Sequence, residues 1–149
     1  SWTIDTADGG TRLTFHLKEG LIWQDGRPIT AGDSAYTIQY LREHQPPRYY
    51  DSVRDVASVE TPDDLTLVVT MNSTSYWHLH NIGGLPIFPR HVFEQVKDWR
   101  SWKPAETWLD KDKKLTQLMG SGPFIFREYR PGEYVHLTRN PAFWLLNSR

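Results

Sequence analysis

Hydrophobic and polar residues alternate in the first part of the chain, over residues 11–17. The apolar positions are Leu13, Phe15 and Leu17. A period of two residues is typical of a β-strand with one buried face. The sequence therefore predicts a half-buried strand here, preceded by a turn at residues 8–10. Residues 1–4 already have the character of a strand, so we expect the natural chain to extend upstream.

The pattern then changes to that of a helix. Thr30 is a residue type that caps helices, and Asp33 follows it three positions later, as in a capping box. We predict a helix that continues to about residue 43 and ends before Pro46-Pro47, because proline cannot continue the helical hydrogen bonds. Its predicted buried stripe contains Ala31, Ala35 and Ile38.

Further elements follow from the same reasoning. The pattern predicts an antiparallel hairpin formed by residues 53–60 and 65–71, with a turn at residues 61–64. Residues 73–82 predict a short helix closed by Gly83-Gly84, and Pro89 is well placed to start a helix that runs to about residue 96. Two strands at residues 124–129 and 134–138 close the chain, joined by a type II turn at Pro131-Gly132. An earlier turn is predicted at Asp25-Gly26.

Because strands and helices are intermixed without a strict βαβ alternation, the sequence predicts an α+β fold with a small mixed antiparallel sheet and packed helices. A chain of 149 residues has the size of one compact domain. Residues 97–114 predict no clear element, and we interpret their three tryptophans as anchors of an irregular loop. These are Trp99, Trp102 and Trp108.

Charge and composition exclude several classes of protein. The net charge of −1 and the interrupted charges at residues 111–114 disfavour nucleic-acid binding. Cysteine is absent, which excludes disulfides, thiolate metal sites and thiol nucleophiles. No apolar run has the ~20 residues that a membrane-spanning helix needs.

The Gly-Ser-Gly-Pro-Phe segment at residues 120–124 has only one side chain capable of chemistry, Ser121. Its glycines and proline specify backbone geometry before a strand rather than a reaction. This segment is one of four sequence blocks that together span most of the chain. The blocks are residues 13–20 with 23–33, residues 59–69, residues 86–91, and residues 120–124 with 139–141 and Trp144.

With these four blocks in order, the chain resembles part of an extracytoplasmic solute-binding protein of the family 5 type, which serves oligopeptide, dipeptide and nickel ABC importers. The resemblance implies a subdomain of a periplasmic-binding-protein type II-like fold. Residues 1–119 would form the second subdomain of the amino-terminal lobe, and residues 120–149 the opening strands of the main lobe. The chain departs from the family at Gly32-Asp33-Ser34-Ala35, where the family usually has an acid-Asp-Val pair, and in being several times shorter.

The resemblance also implies a function. Such receptors are monomeric, often lipoproteins, and capture a peptide or similar solute between two lobes outside the cytoplasmic membrane before they deliver it to the permease. It implies no catalytic residue, cofactor or metal, and it predicts that this chain alone binds peptide weakly or not at all. The candidate ligand contact is Tyr49 or Tyr50, because a tyrosine ring packs on a peptide backbone while its hydroxyl forms a hydrogen bond.

Other combinations of residues receive structural interpretations. A metal site is conceivable at His78, His80 and His91 only if an extended segment brought their imidazoles together. We do not expect a metal site there. Asp25 has turn chemistry and Asp33 capping chemistry, so a catalytic pair among Asp25, Asp33 and Asp51 is not expected. Two alternatives stay open: a non-catalytic interaction or sensor module, indicated by an exposed aromatic patch, and a hydrolase, indicated by Ser121 beside a histidine in a deep pocket.

Overall fold

The computed structural model describes residues 1–7, 9–96, 98–109, 111 and 115–147. These residues group into two compact units. The sheet unit contains Ser1–Glu19 and Thr30–Arg90, and the hairpin unit contains Gly20–Ile29 and His91–Arg149. The division between residues 119 and 120 that the family resemblance implies stays a prediction.

The secondary structure confirms the α+β class. The strands are β1 (Trp2–Ala7), β2 (Gly10–His16), β3 (Val56–Asp63), β4 (Thr66–Met71), β5 (Phe124–Arg130) and β6 (Tyr134–Arg139). The helices are α1 (Ala31–His44), α2 (Tyr50–Val53), α3 (Trp77–Gly83) and α4 (Arg90–Phe93), and a 3₁₀ turn covers Trp144–Asn147. Within the described residues, no helix is long and apolar enough to cross a bilayer.

The sheet unit is built on four antiparallel strands in the order β1-β2-β4-β3. Leu13 in β2 pairs with Ile4 in β1 and with Val69 in β4, so the alternating pattern of β2 places its apolar residues in the centre of the sheet. The helices cover this face. The buried core residues are Leu13, Ala31, Ile38, Leu41, Val53, Val56, Leu67, Val69, Met71 and Ile82.

Helix α1 confirms the predicted capping box, with Thr30 as the capping residue. Its buried face contains Ala31, Ile38 and Leu41, whereas Ala35 is only half-buried and packs at the edge of the core. The helix ends when Gln45, directly before Pro46, adopts the left-handed conformation with φ 47° and donates its N–H to the Leu41 carbonyl. A proline disfavours the helical conformation in the residue before it, which explains this end.

The predictions for the β3–β4 hairpin and for helix α4 were wrong at their boundaries. Val53 belongs to helix α2 and not to a strand, and β3 runs from Val56 to Asp63, so the turn to β4 comprises only Asp64 and Leu65. Pro62 is tolerated within β3 because this strand lies at the sheet edge and its pairing is irregular between Glu60 and Asp63. Helix α4 ends at Phe93, three residues before the predicted end.

In the hairpin unit, β5 and β6 form the predicted antiparallel pair. The Glu133 N–H donates to the Arg130 carbonyl at 3.0 Å, and Gly132 has φ 76°. A positive φ at the third position of a hydrogen-bonded turn requires glycine and matches the predicted type II geometry. In the same unit, Ile22 and Pro28 form an isolated bridge around Asp25-Gly26, which confirms the second predicted turn.

The tryptophan-containing loop also belongs to the hairpin unit. Trp102 is half-buried, packs edge-to-face on Phe93 at 4.7 Å between ring centroids, and donates its indole N–H to the Gln117 side chain at 2.6 Å. Trp102 therefore anchors the loop as predicted. Trp108 pairs with Thr116 in a bridge and remains 38% exposed. Asp8 and three of the charged residues at 111–114 lie outside the described part of the chain.

Candidate functional site

The two candidate ligand-binding tyrosines lie at the start of helix α2. The backbone N–H groups of Tyr49 and Tyr50 both donate to the Pro46 carbonyl at 3.0 Å, which tightens the chain after the proline pair. Both side chains are half-buried against the core of the sheet unit. The Arg48 guanidinium lies 5.3 Å from the centre of the Tyr49 ring, a cation–π distance.

Tyr50 also lines a recess in the sheet unit of about 520 Å³. The other lining residues are Gln39, Arg42, Glu43, Gln45 and Arg54. Two amides and two guanidiniums beside an aromatic ring can hydrogen-bond to backbone carbonyls and to a carboxylate. This recess therefore has the chemistry to contact a peptide, and the structure brings Tyr50 but not Tyr49 to its wall.

Sequence reasoning missed the other residues of this recess. Gln39 and Arg42 lie on α1, whereas Arg54 follows α2, twelve residues after Arg42. The spacing of Gln39, Arg42 and Glu43 is that of one helix face, which is the only local signal. Only tertiary packing of α1 and α2 adds Tyr50 and Arg54 to that face.

Asp33 has a structural role on both of its carboxylate oxygens. Oδ2 accepts the Thr30 N–H and Oδ1 accepts the Arg90 N–H, each at 3.0 Å. The residue is 6% exposed, and both bonds lie within the sheet unit. This carboxylate is therefore committed to a helix cap and to the start of α4, as its predicted capping role requires.

The first and the last of the four sequence blocks meet around residues 120–124 of the hairpin unit. Gln24 donates its backbone N–H to the Gly120 carbonyl at 3.1 Å and its side-chain amide to the Phe124 carbonyl at 2.8 Å. Asn140, 3% exposed, donates its backbone N–H to Pro123 and its side-chain amide to Gly122, both at 2.8 Å. The segment is thus held by backbone carbonyl contacts, which agrees with its interpretation as architecture.

Ser121 has no catalytic partner within the described residues. It is half-buried in the bend before β5, and its hydroxyl forms no hydrogen bond to a histidine there. Of the described histidines in the same unit, His91 is bonded to Asp25 through Nε2 at 2.9 Å. The geometry therefore gives the hydrolase alternative no support.

The remaining histidines and carboxylates are separately engaged. His78 is buried with its Nε2 3.1 Å from the Ser73 hydroxyl, and the His80 ring contacts Trp77 at the surface. Asp51 pairs with Arg54 at 3.3 Å. No group of three metal-ligating side chains exists among the residues that the structure describes.

Hydrogen bonds lower the pKa values of Asp63, Asp98 and Glu128, and of these residues Asp63 and Glu128 lie within the strands. The Leu65 N–H, which donates to Asp63 Oδ1 at 2.8 Å, is the main reason that the pKa of Asp63 lies below its ordinary value. The Arg130 guanidinium on the same strand, β5, and then the Tyr134 hydroxyl on β6 lower the pKa of Glu128. Both groups are exposed and hold turns and strands in place, so neither pKa shift indicates a reaction.

An exposed aromatic patch lies on the sheet unit beside β1 and α3. It consists of Trp2, Ile4, Tyr76 and Trp77, and Tyr76 is 90% exposed. These side chains line an open groove with Leu13 and Phe15 of β2. Patches of this kind mark places where soluble proteins contact other molecules.

Comparisons with known proteins identify the family. The sequence model for bacterial extracellular solute-binding proteins, family 5 Middle, matches residues 1–148. A putative ABC transporter peptide-binding protein of Brucella ovis is 30% identical over 131 residues, which are 87% of this chain and 23% of that protein. The peptidoglycan-binding protein YepA of Agrobacterium fabrum is 26% identical over 144 residues, 95% of this chain and 22% of YepA.

A solved structure of a substrate-binding protein has a similar fold. The ABC transporter substrate-binding protein CtaP of Listeria monocytogenes superimposes with a TM-score of 0.75 at 32% identity, over 95% of this chain and 28% of CtaP. This likeness confirms the predicted fold. The chain spans about a quarter of the length of the relatives that it matches. Because the family model covers almost every residue, this chain belongs to the bacterial extracellular solute-binding proteins of family 5.

Proposed function

We propose that the chain is part of the substrate-binding protein of an ABC importer, which captures peptides or a similar small solute outside the cytoplasmic membrane and delivers it to the permease. The observation that carries this proposal is the family match over residues 1–148. The Brucella relative, described as a peptide-binding protein, favours peptide as the solute. The protein acts by binding and release, without a catalytic step.

In this proposal, residues 1–119 form the second subdomain of the amino-terminal lobe, and residues 120–149 start the main lobe of a monomeric lipoprotein. The rest of the protein supplies the opposing wall of the cleft. Closure of the two lobes traps the solute, and the contacts made only in the closed state shift the population toward it.

Tyr49 and Tyr50 supply the contact from this part of the protein. Their rings pack, partly buried, against the core of the sheet unit, which holds them in place before the solute arrives. A preorganised aromatic ring loses little conformational freedom on binding, which favours affinity. The amides and guanidiniums of the recess beside Tyr50 extend the surface on which a peptide backbone or carboxylate lies.

Calorimetry on the complete receptor tests this function. We expect short peptides to bind, and the Tyr49→Ala, Tyr50→Ala double variant to bind them at least about tenfold more weakly, since each factor of ten corresponds to ~1.4 kcal/mol of lost contact. The matched control is Tyr76→Ala, which removes an exposed tyrosine elsewhere on the sheet unit. Unchanged affinity in the double variant eliminates the tyrosine contact, and a complete receptor that binds no peptide or other solute overturns the proposed function.

The same measurement on this chain by itself gives a second prediction. One wall of a cleft covers far less of a ligand than the ~70–90% that a good pocket buries, while the cost of association is unchanged. We expect the 149-residue chain to bind peptide weakly or not at all. Micromolar affinity for any short peptide contradicts this expectation.

The exposed aromatic patch favours a second candidate, a non-catalytic interaction or sensor module. In that case the complete protein binds no solute, and Trp77→Ser weakens its association with a partner protein. Solute binding by the complete protein rejects this candidate, so the calorimetry above separates the two functions.

A further inference from the structure

A second cavity in the sheet unit lies at one end of its hydrophobic core. It has a volume of about 220 Å³ and is separate from the recess at Tyr50. Its walls come from the end of β2, from α1, from the first part of β4, and from the end of α3 with the connector that follows. The lining apolar residues include Phe15, Ile38, Leu67, Ile82, Leu85 and Ile87.

The inner wall is apolar and buried. Ile38, Leu67 and Ile82 are each at most 5% exposed and belong to the core, so the cavity is an open end of the core rather than a surface depression. Ile87 is 39% exposed and lies where the cavity meets solvent.

Of the two hydroxyls that α1 contributes to the wall, that of Thr37 already has its partners, whereas that of Ser34 has none within the described residues. The Thr37 hydroxyl donates to the Asp33 carbonyl and accepts the Phe88 N–H, both at 2.8 Å. Among the described residues that line the cavity, no side chain is an aspartate, glutamate, lysine or arginine, and the charged group at the edge is the Ser1 ammonium, which donates to the His16 carbonyl at 3.1 Å. Because burying an unpaired charge costs several kcal/mol or more, the buried inner wall of Ile38, Leu67 and Ile82 selects neutral apolar groups.

The volume of the cavity limits the size of the ligand that it can hold. A cavity of about 150 Å³ lined by leucine, isoleucine and phenylalanine stays dry and binds benzene. The larger cavity described above has room for one or two fused rings.

From this geometry we propose that the cavity is a binding site for a neutral aromatic molecule of one or two rings. The ring lies against Phe15, Ile38 and Ile82, and a polar substituent points to the mouth, where His16 is exposed. Phe15 can meet the guest ring in an edge-to-face arrangement, the geometry that aromatic pairs prefer. This site is independent of the proposed peptide function.

Indole is the probe for this site, tested on the complete receptor by nuclear magnetic resonance with labelled methyl groups. We expect saturable shifts and intermolecular Overhauser effects from indole to the Ile38, Leu67 and Ile82 methyls. Zwitterionic tryptophan is the charged comparison, and we expect it to bind at least about tenfold more weakly because its charges lose water at the mouth.

Ser34 offers a variant that fills the cavity. It lines the cavity from α1, is 8% exposed, and its hydroxyl forms no hydrogen bond within the described residues. We expect Ser34→Leu to weaken indole binding at least about tenfold by occupying the space of the ring, and Ser34→Ala, the matched control, to leave it unchanged. If Ser34→Leu fails to fold, Leu85→Phe fills the cavity from the opposite wall.

The site is rejected if indole gives no effects at these methyls, or if a folded filling variant binds indole as well as the original receptor. Equal binding of tryptophan and indole contradicts the selection for neutral guests. Indole binding that is lost on filling and retained in Ser34→Ala supports the site.

Discussion

At the scale of single residues, Asp33 and Asn140 each fix several backbone groups through one polar side chain. Asp33 accepts one N–H from the cap of α1 and one from Arg90, fifty-seven positions later in the chain. Asn140 holds the segment at residues 120–124 through the Gly122 carbonyl and accepts the Ala142 N–H. Both are buried, so loss of either leaves backbone groups without partners in a place that water reaches poorly.

We therefore expect Asp33→Ala to destabilise the sheet unit by about 2–3 kcal/mol, because a helix cap and a second buried hydrogen bond are lost together. Urea unfolding followed by the helical circular dichroism signal measures this. The control Asp51→Ala removes an exposed carboxylate paired with Arg54 and should cost less than ~1 kcal/mol. Equal effects of the two substitutions contradict the role given to Asp33.

At the scale of elements, the β3–β4 hairpin shows where local patterns and structure differ. The two strands pair as predicted, but the turn moves to Asp64-Leu65. The reason is that the Asp63 carboxylate accepts the Leu65 N–H and fixes the turn two residues further on. An aspartate side chain commonly accepts a hydrogen bond from the backbone N–H two positions ahead, so Asp63 in the sequence already indicated a turn at residues 64–65. The turn was predicted earlier because proline at position 62 is itself typical of turns.

The turn predicts a pH dependence of stability. The pKa of Asp63 in the folded chain is lowered, chiefly by the Leu65 N–H, so the ionised form stabilises the fold above the unfolded pKa. This stability is lost as the pH falls below about 4 and through the lower folded pKa. In Asp63→Asn, which keeps an acceptor oxygen but cannot titrate, we expect a smaller loss of stability on acidification. Urea unfolding from neutral to strongly acidic pH measures it, and identical pH profiles contradict it.

Several elements could be predicted from the sequence because their determinants are local. The alternation in β2, the capping box of α1 and the Pro131-Gly132 turn each depend on residues within a few positions of one another. Val53 and the short α4 could not be predicted. Valine favours strands on its own, yet here it is fully buried at the end of α2, and burial in the core outweighs that preference.

At the scale of the whole molecule, the two units differ in how much apolar surface they bury. The core cluster of the sheet unit has ten buried residues among those described. The buried apolar residues described in the hairpin unit are Trp23, Ile29, Val92 and Ile125, whereas Phe124, Val135 and Leu137 of its hairpin are exposed. A two-stranded hairpin with so little covered surface has marginal stability in water.

Native-state hydrogen exchange is therefore expected to be slower in the sheet unit. The amides of β2, β4 and α1 should be the most protected, and those of β5 and β6 should exchange at least about tenfold faster, because opening the hairpin exposes less apolar surface. The test is exchange measured residue by residue on the intact chain. Equal or greater protection in β5 and β6 contradicts this ranking.

Local periodicity, caps, turns and ordered sequence blocks were sufficient to establish the α+β class, the family and the architectural role of residues 120–124. Tertiary structure decided which distant groups meet: Gln24 and Asn140 at those backbone carbonyls, Tyr50 beside Arg42 and Arg54, and Ser34 at the wall of an apolar cavity. The physical reason is that such contacts depend on how helices and strands pack, which no short window of sequence specifies.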